Sequence, residues 1–183
     1  MKVVVLAGGR SSRMGEDKGL KEIDGKPMIS YLLHEFFEEE VCINTKDMRY
    51  KKFRCELIPD LVNEKGPMGG IFSSFKNLSD NFLFFIPCDA PKLKKIVFQL
   101  LLENHFTEGV TVAKYKNQLY PTIAIYPRSL MIEMEKCILK NHLSLKRFIE
   151  DHPCKIIDFE GVVNKEVFVN INSQNDIVVA YGN

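Results

Sequence analysis

Short apolar runs alternate with amphipathic stretches along this chain, and most of the secondary structure can be read from that alternation. Val3-Val4-Val5-Leu6 is a continuous apolar run of strand length, predicting a buried strand over 2–6. A helix is expected from about Pro27 to Glu39, with Pro27 in the first turn, where a missing N–H costs nothing. Val41-Cys42-Ile43-Asn44 reads as a second strand and Cys55-Glu56-Leu57-Ile58 as a third, followed by a loop through Pro67 and a helix from about Met68 to Leu78. Phe82-Leu83-Phe84-Phe85-Ile86 is short, aromatic and stopped by Pro87, which favours a buried strand over a helix. The helix after Pro91 is expected to turn Ile96, Phe98 and Leu101 inward. Further strands are predicted at 109–114, 119–126, 155–159 and 167–171, with helices at 129–140 and around Leu145–Phe148. Such alternation predicts an α/β fold of three α/β/α layers around a predominantly parallel, mixed sheet, with ligands beyond the carboxyl ends of the strands.

At such an end the first strand runs into Leu6-Ala7-Gly8-Gly9-Arg10-Ser11-Ser12-Arg13-Met14-Gly15-Glu16-Asp17-Lys18. The glycines let the backbone bend tightly and approach a ligand without Cβ clashes, exposing N–H groups to an anion. Arg13 offers a planar fork of donors and Lys18 a mobile point charge, a pair suited to a polyphosphate. The loop has neither the final Gly-Lys-Ser/Thr of a P-loop nor the G-x-G-x-x-G dinucleotide fingerprint. A plain strand-to-helix connection would need only Gly8-Gly9, so the two cations favour nucleoside triphosphate binding.

Composition narrows the setting. The 183 residues fit one domain, 1–183, with no repeat, low-complexity tract or linker to divide them. Lys plus Arg number 25 against 24 Asp plus Glu, so there is no general attraction to nucleic acid or to a membrane, and any anion site is local. Cys42, Cys55, Cys88, Cys137 and Cys154 are odd in number and form no C-x-x-C pair, which favours reduced thiols and a cytoplasmic setting. No run approaches the ~18 apolar residues of a membrane span, and no cleavable signal is expected.

Asp89 lies just beyond the clearest strand, where a carboxylate can reach Mg²⁺; Pro-Cys-Asp-Ala-Pro also suits a helix cap or turn. Cys88 reads as a packing residue, with no histidine near in sequence to activate it. Asn44 and Asp60 end predicted strands and fit either nucleotide contacts or turns. Asn170 and Asn172 share one side of Val169-Asn170-Ile171-Asn172 if that segment is extended, although Asn172 or Ser173 can equally cap a helix beginning near Gln174. Gly66-Pro67-Met68-Gly69-Gly70 is either a loop and helix start or a close approach to a nucleotide. His34, His105, His142 and His152 have no metal-binding spacing, and Lys51-Lys52 and Lys92-Lys94-Lys95 read as solvated surface charge. Phe36-Phe37 and the phenylalanines of 82–86 are expected in the core.

The loop also resembles the signature L-A-G-G-x-S-x-R-M-G-x-D-K of the molybdenum cofactor guanylyltransferases, within the α/β nucleotidyltransferases, and every fixed position is present. The resemblance continues through Gly25-Lys26-Pro27, Gly66-Pro67-Met68-Gly69-Gly70, Pro87-Cys88-Asp89-Ala90-Pro91, Pro121-Thr122-Ile123-Ala124 and Val169-Asn170-Ile171-Asn172, nearly the whole chain. It implies a Rossmann-like fold of the nucleotidyltransferase type and transfer of GMP from GTP to the terminal phosphate of molybdenum-molybdopterin, with release of pyrophosphate. The implied catalytic residues are Arg13, Lys18 and Asp89, with Asp89 holding Mg²⁺. Leu6, Ala7, Gly8, Gly9, Lys18, Asn44, Asp60 and Asp89 are the implied nucleotide contacts, and Asn170 and Asn172 candidates for the pterin or a second metal. Cofactor-delivery and molybdoenzyme-maturation proteins are the implied partners. Related cytidylyltransferases resemble L-A-A-G where this chain has Gly8, which favours guanine; Lys46 replaces an Asn often found there. A cytidylyltransferase, a cobinamide-phosphate guanylyltransferase and a non-catalytic nucleotide sensor or cofactor carrier are the competing expectations.

Overall fold

The computed structural model describes residues 1–8, 17–173, 176 and 177. Its elements run β1 (Lys2–Leu6), β2 (Glu22–Ile23), β3 (Lys26–Pro27), α1 (Met28–Glu35), β4 (Val41–Asn44), β5 (Glu56–Ile58), α2 (Gly66–Asn77), β6 (Phe82–Pro87), α3 (Lys95–Glu103), β7 (Val110–Tyr115), β8 (Gln118–Pro127), α4 (Met131–Leu139), α5 (Leu145–Glu150) and β9 (Cys154–Asp158). The large sheet has the order β5-β4-β1-β6-β8-β7-β9, in which β8 alone runs antiparallel to its neighbours.

β1 is apolar from Val3 to Leu6 because both faces of the sheet are covered. Val3 and Val5 pack with Phe84 and Ile86 beneath Ile29 and Leu32 of α1 and Val97, Phe98 and Leu101 of α3. Val4 and Leu6 pack on the other face with Phe85 beneath Met68, Ile71 and Phe75 of α2, Met134 and Ile138 of α4, and Phe148 of α5. Three layers result, as the alternation predicts. From β1 the chain adds β4 and β5 on one side, then crosses to the other with β6, so the carboxyl ends of β1 and β6 flank a reversal of strand order. In open α/β sheets that crevice is where ligands bind.

Several local expectations are corrected. The first helix stops at Glu35 and the chain turns back toward β4; Phe36 is fully buried but Phe37 is 74% exposed. Glu35, Glu38 and Glu39 instead pair with Lys94 and Lys95 at the start of α3. Ile96 is 41% exposed, and Val97 takes the inward position with Phe98 and Leu101. The strand expected at 167–171 is a 3-10 turn, Lys165–Phe168, followed by an irregular segment that belongs to neither sheet. Its amides bond elsewhere: Ile171 N donates to the Asp89 carbonyl at 2.7 Å. The β2–β3 hairpin was not expected. Asp24 (φ 50°) and Gly25 (φ 72°) make its turn, the Asp-Gly pair favoured where both central residues take positive φ. Ile23 of this hairpin packs with Met28, Ile171 and Ile177 in a small satellite cluster.

Candidate active site

The carboxyl ends of β1, β4 and β6 are laced together: Ala7 N donates to Asn44 O at 3.0 Å and Cys88 N to Leu6 O at 3.1 Å. Beyond them opens a cleft of about 300 Å³ lined by Leu6, Ala7, Gly8, Lys18, Asn44, Asp89 and Asn170, with Asp17, Gly66, Pro67 and Thr122. Candidates spread from position 6 to position 170 thus meet at one rim of the sheet.

Lys18 stands in the cleft on a single 3-10 turn, Lys18–Leu20, whose N-cap is Asp17. Its ammonium donates to Asn172 Oδ1 at 2.5 Å and lies 3.2 Å from Asp89 Oδ2. The Asp89 side chain is only 15% exposed. Burial pushes its carboxyl above the ordinary range, and Lys18 pulls it part of the way back. Among the described residues Asp89 Oδ1 is buried without a hydrogen-bond partner. Such an oxygen is costly unless something else satisfies it, and it is the donor a hard divalent cation takes. Among the described residues no three His, Cys, Asp or Glu side chains cluster as a metal cage, so a cation here would depend on Asp89 with phosphate and water. Cys88, next in sequence, is buried in the core, and burial drives its thiol strongly upward, away from the nucleophilic thiolate.

On the other side of the cleft, Asn44 Nδ2 donates to Ile58 O at 3.1 Å and to Asp60 Oδ1 at 2.9 Å. With its amide 1% exposed and both donors engaged, Asn44 aims the Asp60 carboxylate. A Cβ at Gly8 would stand 2.8 Å from Asp60 Oδ2. One at Gly70 would collide with Asn44 Oδ1 and lie 2.9 Å from Leu6 Cδ2. Gly70 is therefore needed for α2 to lie close on β1 and β4, while Gly66 and Pro67 are the part of that motif that faces the cleft. Asp60 itself lines an adjoining cleft of about 470 Å³ with Lys46, Asn63, Glu64 and Lys65, sharing Gly8 and Gly66 with the first.

Asn170 lines the first cleft, and Asn172 reaches it through Lys18. Ser173 Oγ accepts from Asp176 N at 3.2 Å while Asp176 Oδ2 accepts from Ser173 N at 2.7 Å, the reciprocal pair of a capping box. Gly9, Arg13 and Gln174 lie outside the described residues. Thr122, to which no chemistry was assigned, is brought to the cleft by a break in register: Val112 faces Ala124 but Ala113 faces Tyr120, so Pro121, Thr122 and Ile123 bulge out of β8. Asp17, a fixed position of the resembled signature with no role assigned to it, caps the turn of Lys18, as an Asp immediately before a short turn can.

A cleft at the reversal point of a mostly parallel sheet, edged by glycine backbone and a Lys–Asp pair, defines the α/β nucleotide-binding class. Residues 3–156 match the model of the MobA-like NTP transferase domain, and the chain belongs to that family. A probable molybdenum cofactor guanylyltransferase of Flavobacterium johnsoniae is 30% identical over 176 residues, covering 94% of this chain and 92% of the relative. The molybdenum cofactor guanylyltransferase of Vibrio atlanticus is 27% identical over 180 residues, covering 95% and 92%. In three dimensions, the chain is similar to molybdopterin-guanine dinucleotide biosynthesis protein A of Archaeoglobus fulgidus, with a TM-score of 0.83 and 23% identity over 98% of this chain and 96% of that one. At that identity the likeness shows the fold.

Proposed function

We propose that the protein transfers GMP from GTP to the terminal phosphate of molybdenum-molybdopterin, releasing pyrophosphate and forming the guanine dinucleotide cofactor. The observation that carries this reading is the meeting of Lys18 and Asp89 with Gly8 at the switch point, Asp89 Oδ1 buried and unpartnered among the described residues. Relatives with the corresponding name at 27–30% identity over most of the chain support it.

Each part of the cleft then has a task. Backbone around Gly8 lies against the nucleotide, and Lys18 neutralises charge on the triphosphate and the departing pyrophosphate. Asp60 accepts from the guanine N1–H and exocyclic amine, two donors that a carboxylate can meet together and that cytosine does not present on one edge. Asn44 holds Asp60 in place, and the missing Cβ of Gly8 leaves room for it. An Ala at position 8 would crowd that carboxylate, which supports guanine over cytosine. Asn170 faces the acceptor side, and Asn172 steadies Lys18.

A pterin phosphate oxygen forms its bond to the α-phosphorus as the bond from that phosphorus to the bridging oxygen breaks, and the pyrophosphate leaves with the electron pair. An ionised phosphate is already a nucleophile, so no side-chain base is needed; positioning and electrostatics carry the rate. Mg²⁺ fits Asp89 Oδ1, with phosphate and water as its other donors, and would supply charge neutralisation. The test is pyrophosphate release on mixing the protein with Mg²⁺, the pterin and either GTP or CTP. Release with GTP, with the preference for GTP over CTP reduced in Asp60→Ala, is the expected result. Preference for CTP, or nucleotide binding without turnover, overturns the assignment.

A further inference from the structure

Tyr50 does not touch the cleft, yet it is among the largest fully buried side chains in the molecule. It sits on the 3-10 turn Met48–Phe53 between β4 and β5, and its hydroxyl donates to Asp17 Oδ1. The same oxygen accepts from Gly19 N at 3.0 Å, the capping bond that opens the turn bearing Lys18. Gly19 is in turn pressed against the phenol: a Cβ there would collide with the Tyr50 oxygen and stand 3.3 Å from Cys88 Cβ. Both residues flanking Lys18 are thus fixed from behind by one phenol, Asp17 by a hydrogen bond and Gly19 by contact. Burial raises the Tyr50 hydroxyl far above its ordinary range, so it remains a donor at any pH of activity.

A buried hydroxyl is costly unless paired, and a phenylalanine would fill the same volume with nothing to satisfy. Asp17 can cap a turn unaided. The added bond, from a segment 33 residues away, ties the turn to the body of the protein. We infer that Tyr50 is a positioning residue: through Asp17 and Gly19 it sets where the Lys18 ammonium stands against the triphosphate. The inference rests on the reading of Lys18 as the cation of the triphosphate site.

The experiment is a double-mutant cycle on the full chain, with Tyr50→Phe, Lys18→Ala and both together. Nucleotide affinity is read by calorimetry in Mg²⁺, and kcat and KM by pyrophosphate release. Tyr50→Phe keeps the ring, so it is expected to unfold within a few degrees of wild type, lose about 3–10-fold in GTP affinity, the scale of one net hydrogen bond, and lose roughly 10-fold in kcat with an unchanged KM for the acceptor. Added to Lys18→Ala it should change GTP affinity no further, because no ammonium is left to misplace. Equal losses in the two backgrounds, or wild-type affinity and kcat in Tyr50→Phe, overturn the inference while leaving the guanylyl reading intact. A wild type that binds CTP in place of GTP overturns the guanylyl reading, and the same cycle run with CTP then decides the role of Tyr50. Binding of neither nucleotide overturns both.

Discussion

A carboxylate held out of water beside one lysine, with an oxygen left unpaired among the described residues, is a residue placed for something other than stability. The folded protein holds the Asp89 proton more tightly than the unfolded chain does, because burial raises its pKa and Lys18 only partly offsets that. Metal-free stability therefore falls as pH rises from the ordinary carboxylate pKa through the raised one. Asp89→Asn removes the ionisation and its slope. At neutral pH the variant is expected to melt higher than wild type in EDTA, with turnover reduced by about 10²-fold or more. Thermal scans of both proteins from mildly acidic to neutral pH test the sign: a gap between variant and wild type that fails to widen toward the higher pH contradicts the account. Asp89 and Lys18 were legible in the sequence because each lies just past an apolar run or its glycine loop, and such runs end at the rim of the sheet. The Tyr50–Asp17 pair was not, since nothing in the sequence that separates these positions says that a phenol and a carboxylate will meet.

At the scale of elements, the apolar pattern located every strand of the large sheet, most clearly β1 and β6, where burial on both faces forces continuous apolar runs, and less so the edge strands β5 and β9, which are only partly buried. It erred where other forces decide. The segment 167–171 has the composition of a strand, but the amides of Val167 and Val169 donate to Asn164 O and Glu166 O within the turn, and that of Ile171 to Asp89 O. The bulge that delivers Thr122 depends on β7, which no local pattern in β8 records. Helix ends are another such place. The last carbonyls of α2 find their donor far away in sequence: Arg128 Nη1 donates to Phe75 O at 2.6 Å and its Nη2 to Leu78 O, while Nε reaches Asp80 O at 2.9 Å, with the guanidinium 5.4 Å from the Phe75 ring centroid. One side chain thus closes α2 and fixes the entry to β6. Arg128→Ala is expected to cost about 2–4 kcal/mol by stranding these carbonyls, lowering Tm by roughly 5–15 °C for a chain of this size. Arg128→Lys, which cannot fork, should recover less than half of that loss. Urea unfolding of the three proteins measures both.

For the molecule as a whole, the described site residues lie at the carboxyl rim, where β1, β4 and β6 end and the α2 entry, the bulge in β8 and the segment 169–172 converge. A ligand bridging so many elements should stiffen the native state and leave the unfolded chain untouched. At a hundredfold excess over its Kd, GTP with Mg²⁺ should raise Tm by about 5–10 °C, a shift read by scanning fluorimetry and absent in Lys18→Ala at the same concentration. An equal shift with CTP would sink the guanine preference. The segment 169–172 also bears on how the enzyme is made. Lys18 is paired with Asn172, 154 positions later, and the carbonyl of Asp89 with the amide of Ile171. A ribosome releases all the strands of the sheet before it releases that segment. Until then a nascent chain has a folded scaffold whose Lys18 ammonium has Asp89 but not Asn172 to hold it, so competence to handle a nucleotide arrives after the sheet can form.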